Sequence, residues 1–104
     1  MNLKEIISNS EKYEDSDDTI YVIYAKKIGN KFIPDSEAII LELSPEEMEI
    51  NVNEIANSKC PGFDYFLEMF ILQDFDKDLM EIEEFKNNLN KKIDRIIYYA
   101  ENNA

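Results

Sequence analysis

The run Thr-Ile-Tyr-Val-Ile-Tyr-Ala at residues 19–25 constrains this chain more than any other stretch. Nearly every position is β-branched or aromatic, which is how strands read. Side chains alternate along a strand, so Ile20, Val22 and Tyr24 face one way and Tyr21, Ile23 and Ala25 the other. Both sets are apolar. A strand of that kind belongs in the middle of a sheet with a layer packed on each face. It is predicted to run over 19–27. Gly29 and Asn30 then suit the centre of a tight hairpin, because both tolerate positive φ. A short second strand over 31–33 is expected, ended by Pro34, which lacks a donor. After a turn at 34–37 a third strand follows over 38–43. There Ile39, Leu41 and Leu43 form one face, while Glu42 marks the other as partly wet.

Helices are expected to pack on this sheet. Leu3, Ile6, Ile7 and Tyr13 fall roughly on one face of a helix over 3–13, with Asn2 as its cap. The polar run Glu14-Asp15-Ser16-Asp17-Asp18 should stop it. Ser44-Pro45-Glu46-Glu47 reads as a helix start: Ser44 caps, Pro45 suits the first position and Glu47 completes a capping box. Helical turns near 45–49 and 53–58 should follow, with a break at Cys60-Pro61-Gly62. Residues 64–75 read either as one buried helix or as an extended Tyr65–Glu68 with a helix from Met69, the second being preferred. Ile82, Phe85, Leu89, Ile93, Ile96 and Ala100 recur every three or four residues and predict one continuous amphipathic helix. Early acidic residues (Glu81, Glu83, Glu84) and late basic ones (Lys91, Lys92, Arg95) would complement its dipole. The fold class is α+β in a single domain, 1–104: a small antiparallel sheet of three or four strands, packed with helices, the C-terminal one long and amphipathic.

Charge narrows the functional classes. The chain carries 23 acidic and 11 basic residues, a formal charge of −12, and Arg95 is its one arginine. Binding nucleic acid depends on Lys and Arg neutralising phosphates, so that class is disfavoured. An anionic membrane surface is disfavoured for the same reason. A basic protein would be attracted, and its association accelerated. With 44% hydrophobic and 12% aromatic residues the chain is too apolar for intrinsic disorder. Cys60 is the one cysteine and histidine is absent. No internal disulfide is therefore possible, a zinc site is not expected, and a lone thiol fits a reducing, cytoplasmic setting. The opening Met-Asn-Leu-Lys-Glu-Ile-Ile-Ser has too short an apolar run for a signal peptide. No stretch approaches the roughly 20 apolar residues of a membrane span.

Motifs for chemistry are weak. Asp74-Phe75-Asp76-Lys77-Asp78 imitates the first five positions of a calcium loop, where alternating carboxylates converge on the ion. The required glycine at position 6 is Leu79, and the bidentate glutamate at position 12 is Phe85. The segment reads instead as a solvated turn between helices, with Asp76 or Asp78 capping the last one. Asp15, Asp17 and Asp18 read as a surface loop, and Glu42, Glu46, Glu47 and Glu49 as a charged helix start. Neither Cys60 nor any serine has a histidine base to activate it. With two glycines, Gly29 and Gly62, there is no phosphate-binding loop. Tyr98 and Tyr99 are open to either a core or a partner role. No catalytic residue, cofactor site or metal site is expected.

One resemblance adds to this reading. The order of strand, hairpin, Ile-Ile-Leu-Glu-Leu (39–43), acidic stretch, Gly-Phe-Asp-Tyr-Phe-Leu (62–67), Gln-Asp (73–74) and a last helix ending Tyr-Tyr (98–99) resembles a family of small acidic domains. It is also similar to the immunity proteins of bacterial contact-dependent and other polymorphic toxin systems. That resemblance covers about residues 19–100 and implies a small, cytoplasmic, non-catalytic protein. It further implies a partner: a cognate toxin domain, basic and in many systems a nuclease, met by carboxylates where the toxin expects phosphates. The residues expected to meet such a partner are Asp15, Asp17, Asp18, Glu46, Glu47, Asp74, Asp76 and Asp78. A regulatory interaction domain without a toxin, and a small enzyme or cation-binding domain built on the aspartates, are the rival classes.

Overall fold

The computed structural model describes residues 1–103, and its centre is the strand that the sequence placed there. Strand β1 (Ile20–Ala25) lies between β2 (Ala38–Leu43) and β3 (Asp64–Glu68), all antiparallel, in the order β2-β1-β3. Pairing runs from Ile20 opposite Leu43 to Ala25 opposite Ala38 on one side. On the other, Val22 faces Glu68 and Ile23 faces Leu67, but Tyr24 faces Tyr65. Phe66 is thus an extra residue in β3, a bulge. It turns Phe66 and Leu67 into one core in succession, while Tyr65 lies on the opposite face with its ring 6.0 Å from that of Tyr24.

Helices cover the two faces unequally. The broad face is buried by α1 (Leu3–Ser8), α3 (Met69–Leu79) and α5 (Leu89–Asn103). Ile23, Phe66, Leu67, Met69, Leu72 and Ile96 are fully buried there. The narrow face is covered by one eight-residue helix, α2 (Val52–Lys59), whose Ile55 and Ala56 pack on Val22, Tyr24 and Leu43. Ile20, Ile39 and Leu41 on that face stay half-buried. Asn51 caps α2, and Ser44 and Glu47 form the expected reciprocal pair before the 3-10 turn Glu47–Glu49. Residues Tyr65–Glu68 are extended and the helix begins at Met69, the preferred of the two sequence readings.

Four expectations are corrected. The second strand at 31–33 is a single bridge, Ile28 to Lys31, around Gly29 (φ 61°) and Asn30 (φ 63°). Beyond it Phe32 N–H donates to Glu101 and Ile33 N–H to Ser36 Oγ, so side chains take the bonds a ladder would have used. The first helix stops at Ser8, where Asn9 turns its amide back onto Glu5 O at 2.8 Å; a 3-10 turn, Ser10–Lys12, follows. The terminal stripe is not one helix. A short α4 (Glu83–Lys86) ends at Asn87, and Asn88 Oδ1 accepts Lys91 N–H at 3.1 Å to start α5. Lys91 and Lys92 therefore lie in the first turn of α5 and do not complement its dipole. The aspartate run is no turn either: Asp74, Asp76 and Asp78 all lie within α3, and neither Asp76 nor Asp78 caps a helix.

Candidate functional site

Helical geometry decides what the aspartate run can do. At 100° per residue Asp74 and Asp78 share a face, and Asp76 points nearly the opposite way. The three carboxylates cannot converge on one ion. Asp76 is half-buried and pairs with Lys92 of α5 at 2.7 Å, while Asp74 and Asp78 are exposed. Among the described residues no group of three or more His, Cys, Asp or Glu side chains is arranged to hold a metal.

A groove opens where α3 meets the turn after α1. Gln73 donates its side-chain amide to Ser10 O at 2.8 Å and to Tyr13 O, which ties the two segments together. Glu11, Tyr13 and Glu14 line one wall; Asp76, Lys77 and Met80 line the other. The groove holds about 420 Å³. With Asp76 neutralised by Lys92, Glu11 and Glu14 against Lys77 leave it negative, and the thioether of Met80 gives it an apolar wall. Of these residues the sequence pointed to Asp76. Glu11 and Glu14 were missed, because their partnership depends on a contact made by Gln73 across the fold.

The strand register gathers further charge at one end of the sheet. Ile20 faces Leu43, so the loop entering β1 and the segment leaving β2 lie at the same end. The first carries Asp15, Asp17 and Asp18; the second carries Glu46, Glu47 and Glu49. Two of these are engaged in the structure itself. Asp15 accepts Tyr21 N–H at 3.1 Å, the bond β3 would supply if it ran one residue further. Glu47 receives Ser44 N–H at 3.0 Å and Lys59 Nζ at 2.9 Å. The Lys59 bond, then the Ser44 bond, hold its carboxyl below the usual range. Asp17, Asp18 and Glu46 are exposed.

Beneath α2 lies a polar cluster of another kind. Tyr65 donates its hydroxyl to Glu68, and Tyr24 donates to Val52 O at 3.3 Å. Burial, reinforced by Cys60 and Glu68 nearby, pushes the Tyr24 hydroxyl up to about 12. Tyr65 is raised as well, first by burial and then by its bond to Glu68. The Cys60 thiol is buried and raised by that burial, which disfavours the thiolate a nucleophile needs. This cluster keeps its protons and holds α2 on the sheet. Of the two terminal tyrosines, Tyr99 takes the core role, stacking on Phe75 at 4.6 Å, and Tyr98 is 59% exposed, with the Arg95 guanidinium 5.3 Å from its ring.

No family model, no curated protein and no solved structure matches this chain significantly. No helix among the described residues is long and apolar enough to cross a membrane.

Proposed function

We propose that this protein is a non-catalytic binding module of the immunity type, which captures a basic toxin domain, a nuclease being the chemistry that fits best, and blocks it through its acidic surface. The observation that carries the reading is the exposed pair Glu11 and Glu14 on the wall of one groove, on a chain of net charge −12; Asp76 across from them is already paired with Lys92. Carboxylates held in a groove occupy the position of phosphates before a basic active site. Met80, 41% exposed, offers an apolar anchor beside them. Asp17, Asp18, Asp74 and Asp78 are exposed and free to steer an approaching cation. Asp15 and Glu47 are already hydrogen-bonded within the fold, so their replacement disturbs structure before it disturbs binding. The lone buried thiol suits a cytoplasmic site of action.

The test begins with tagged protein and a lysate of the native cells, at low and high salt. The retained protein is then purified and titrated against wild type and a Glu11→Lys/Glu14→Lys variant. A basic partner whose toxicity is suppressed by co-expression, and whose on-rate falls in the variant, supports the reading. Retention of no basic protein, or of one whose activity is untouched, ends it and leaves a regulatory interaction domain as the better description. Equal affinity in the double variant removes the acidic-groove mechanism even where the partner is correct.

A further inference from the structure

Strand β2 lies at an edge of the sheet. In an antiparallel ladder each residue turns its N–H and C=O to the same side, and neighbours alternate. Lys26 N–H donates to Glu37 O at 2.8 Å, so Glu37 faces β1; Ala38 N–H donates to Met1 O at 2.9 Å, so Ala38 faces outward. By that parity Ile39, Leu41 and Leu43 bond to β1, and Ile40 and Glu42 turn their backbone outward. Met1 and Asn2 close this edge as far as Ala38. Past that point the outward N–H and C=O groups of Ile40 and Glu42 meet no backbone partner among the described residues.

We propose that the open edge of β2 docks an extended basic segment of a partner protein, which joins the sheet as a fourth strand beside Ile40 and Glu42. The occupant's source rests on the basic partner inferred above; its geometry rests on the edge alone. Three observations define its chemistry. The edge already accepts backbone pairing from Met1 and Asn2, so a further strand continues an arrangement the fold uses. On the narrow face α2 covers Leu43 at one end of β2 but leaves Ile39 and Leu41 half-buried. A strand alongside would complete that cover with apolar side chains. Glu42 is the one charged residue of β2 and is exposed, and exposed Glu46 and Glu49 follow it. A second copy of this chain would bring the same carboxylates together across the join, with −12 on each partner. A segment alternating Lys or Arg with β-branched residues matches both requirements.

The probe is a fluorescein-labelled peptide, Arg-Val-Lys-Val-Lys-Val-Thr, titrated into the full chain, with amide hydrogen exchange read residue by residue. Saturating peptide is expected to slow exchange at Ile40 and Glu42 by at least about tenfold, the change produced by a modest hydrogen-bond free energy. Glu42→Pro removes an outward N–H that the ladder to β1 does not use, a place where an edge strand tolerates proline. It should weaken the peptide by about tenfold or more, and Glu42→Gln by about threefold through charge alone. Unchanged exchange at Ile40 and Glu42 under saturating peptide, or no binding at millimolar peptide, overturns the proposal. So does equal affinity of a folded Glu42→Pro variant; should that variant not fold, the wild-type exchange result decides. Docking of the peptide where no basic partner protein exists would retain the edge and remove the immunity reading. A basic toxin held equally well by Glu42→Pro would do the reverse.

Discussion

The two faces of β1 are built from the same kind of residue and end in different states. On the broad face Ile23 and Ala25 are fully buried beneath three helices. On the narrow face Val22 and Tyr24 are equally buried, yet under a single short helix flanked by half-buried neighbours. Helix α2 has two buried residues, Ile55 and Ala56, and is held also by polar bonds: Asn51 at its start, Tyr24 to Val52, Lys59 to Glu47. The lesson is that apolar sequence on both faces of a strand demands two layers but says nothing about their thickness. Thickness depends on how much chain the rest of the fold can bring over. Here most of the helical chain went to one side.

Substitutions can break this contrast. The largest effect is expected at Phe66, fully buried with its ring 5.1 Å from that of Phe32. Phe66→Ala should cost about 3–5 kcal/mol, read by denaturant unfolding, because the surrounding helices cannot collapse into the space. Ile55→Ala on the narrow face should cost about 2 kcal/mol, since a thinly anchored helix relaxes into the gap. Amide exchange in α2 should run faster than in α5 even in the wild type, and Ile55→Ala should widen that difference. An equal cost for the two substitutions, or equal protection of the two helices, would mean the faces are energetically alike.

Proton linkage sharpens the same comparison. The Tyr24 hydroxyl titrates at about 12 when folded, against about 10 for an unperturbed tyrosine. The stability this contributes is complete below the unfolded value and is lost as pH rises from there through the folded value. Unfolding should therefore steepen above pH about 10, and Tyr24→Phe should flatten that alkaline slope while losing the bond to Val52. The smallest effect is expected from Glu47. Its carboxyl is lowered in the folded state, so its contribution is present above the ordinary carboxylate range and fades as pH falls through the folded value. Glu47→Gln should lower the thermal midpoint slightly at neutral pH and not at all in strong acid. A difference that persisted in acid would assign the effect to packing.

Much of this architecture was legible. Runs of β-branched and aromatic residues located β1 and β2, Gly29-Asn30 located the turn, and the three-four spacing of Ile93, Ile96 and Ala100 located α5. The Ser44–Glu47 pair was readable because its partners are three residues apart. What escaped was decided by contacts between distant segments. Alternation puts Tyr65 with Leu67; the bulge at Phe66 reverses this, and no residue in the run announces it. The helical Asp74–Asp78 segment looked like a turn because its charges outweighed the apolar spacing of Leu72, Phe75 and Leu79. The break at Asn87–Asn88 had a signal, two poor helix formers in succession, but the stripe on either side masked it. The carboxylates of the candidate site were visible as composition. Their grouping was not, since Gln73 reaches Ser10 over a separation of 63 residues.

The bulge also sets a rule about chain length. Tyr65 and Glu68 share the narrow face, and Phe66 and Leu67 share the broad one, because a single uncounted residue lies between them. Deleting Phe66 would leave Tyr65 opposite Tyr24 in regular alternation but take a fully buried ring out of the broad core, and an added residue would carry Tyr65 past its partner Tyr24. The stretch 64–68 is therefore written in a fixed metre, whereas the connection over 26–37 can gain or lose a residue at its exposed tip. Related sequences, aligned by length, should vary at the second place and keep count at the first.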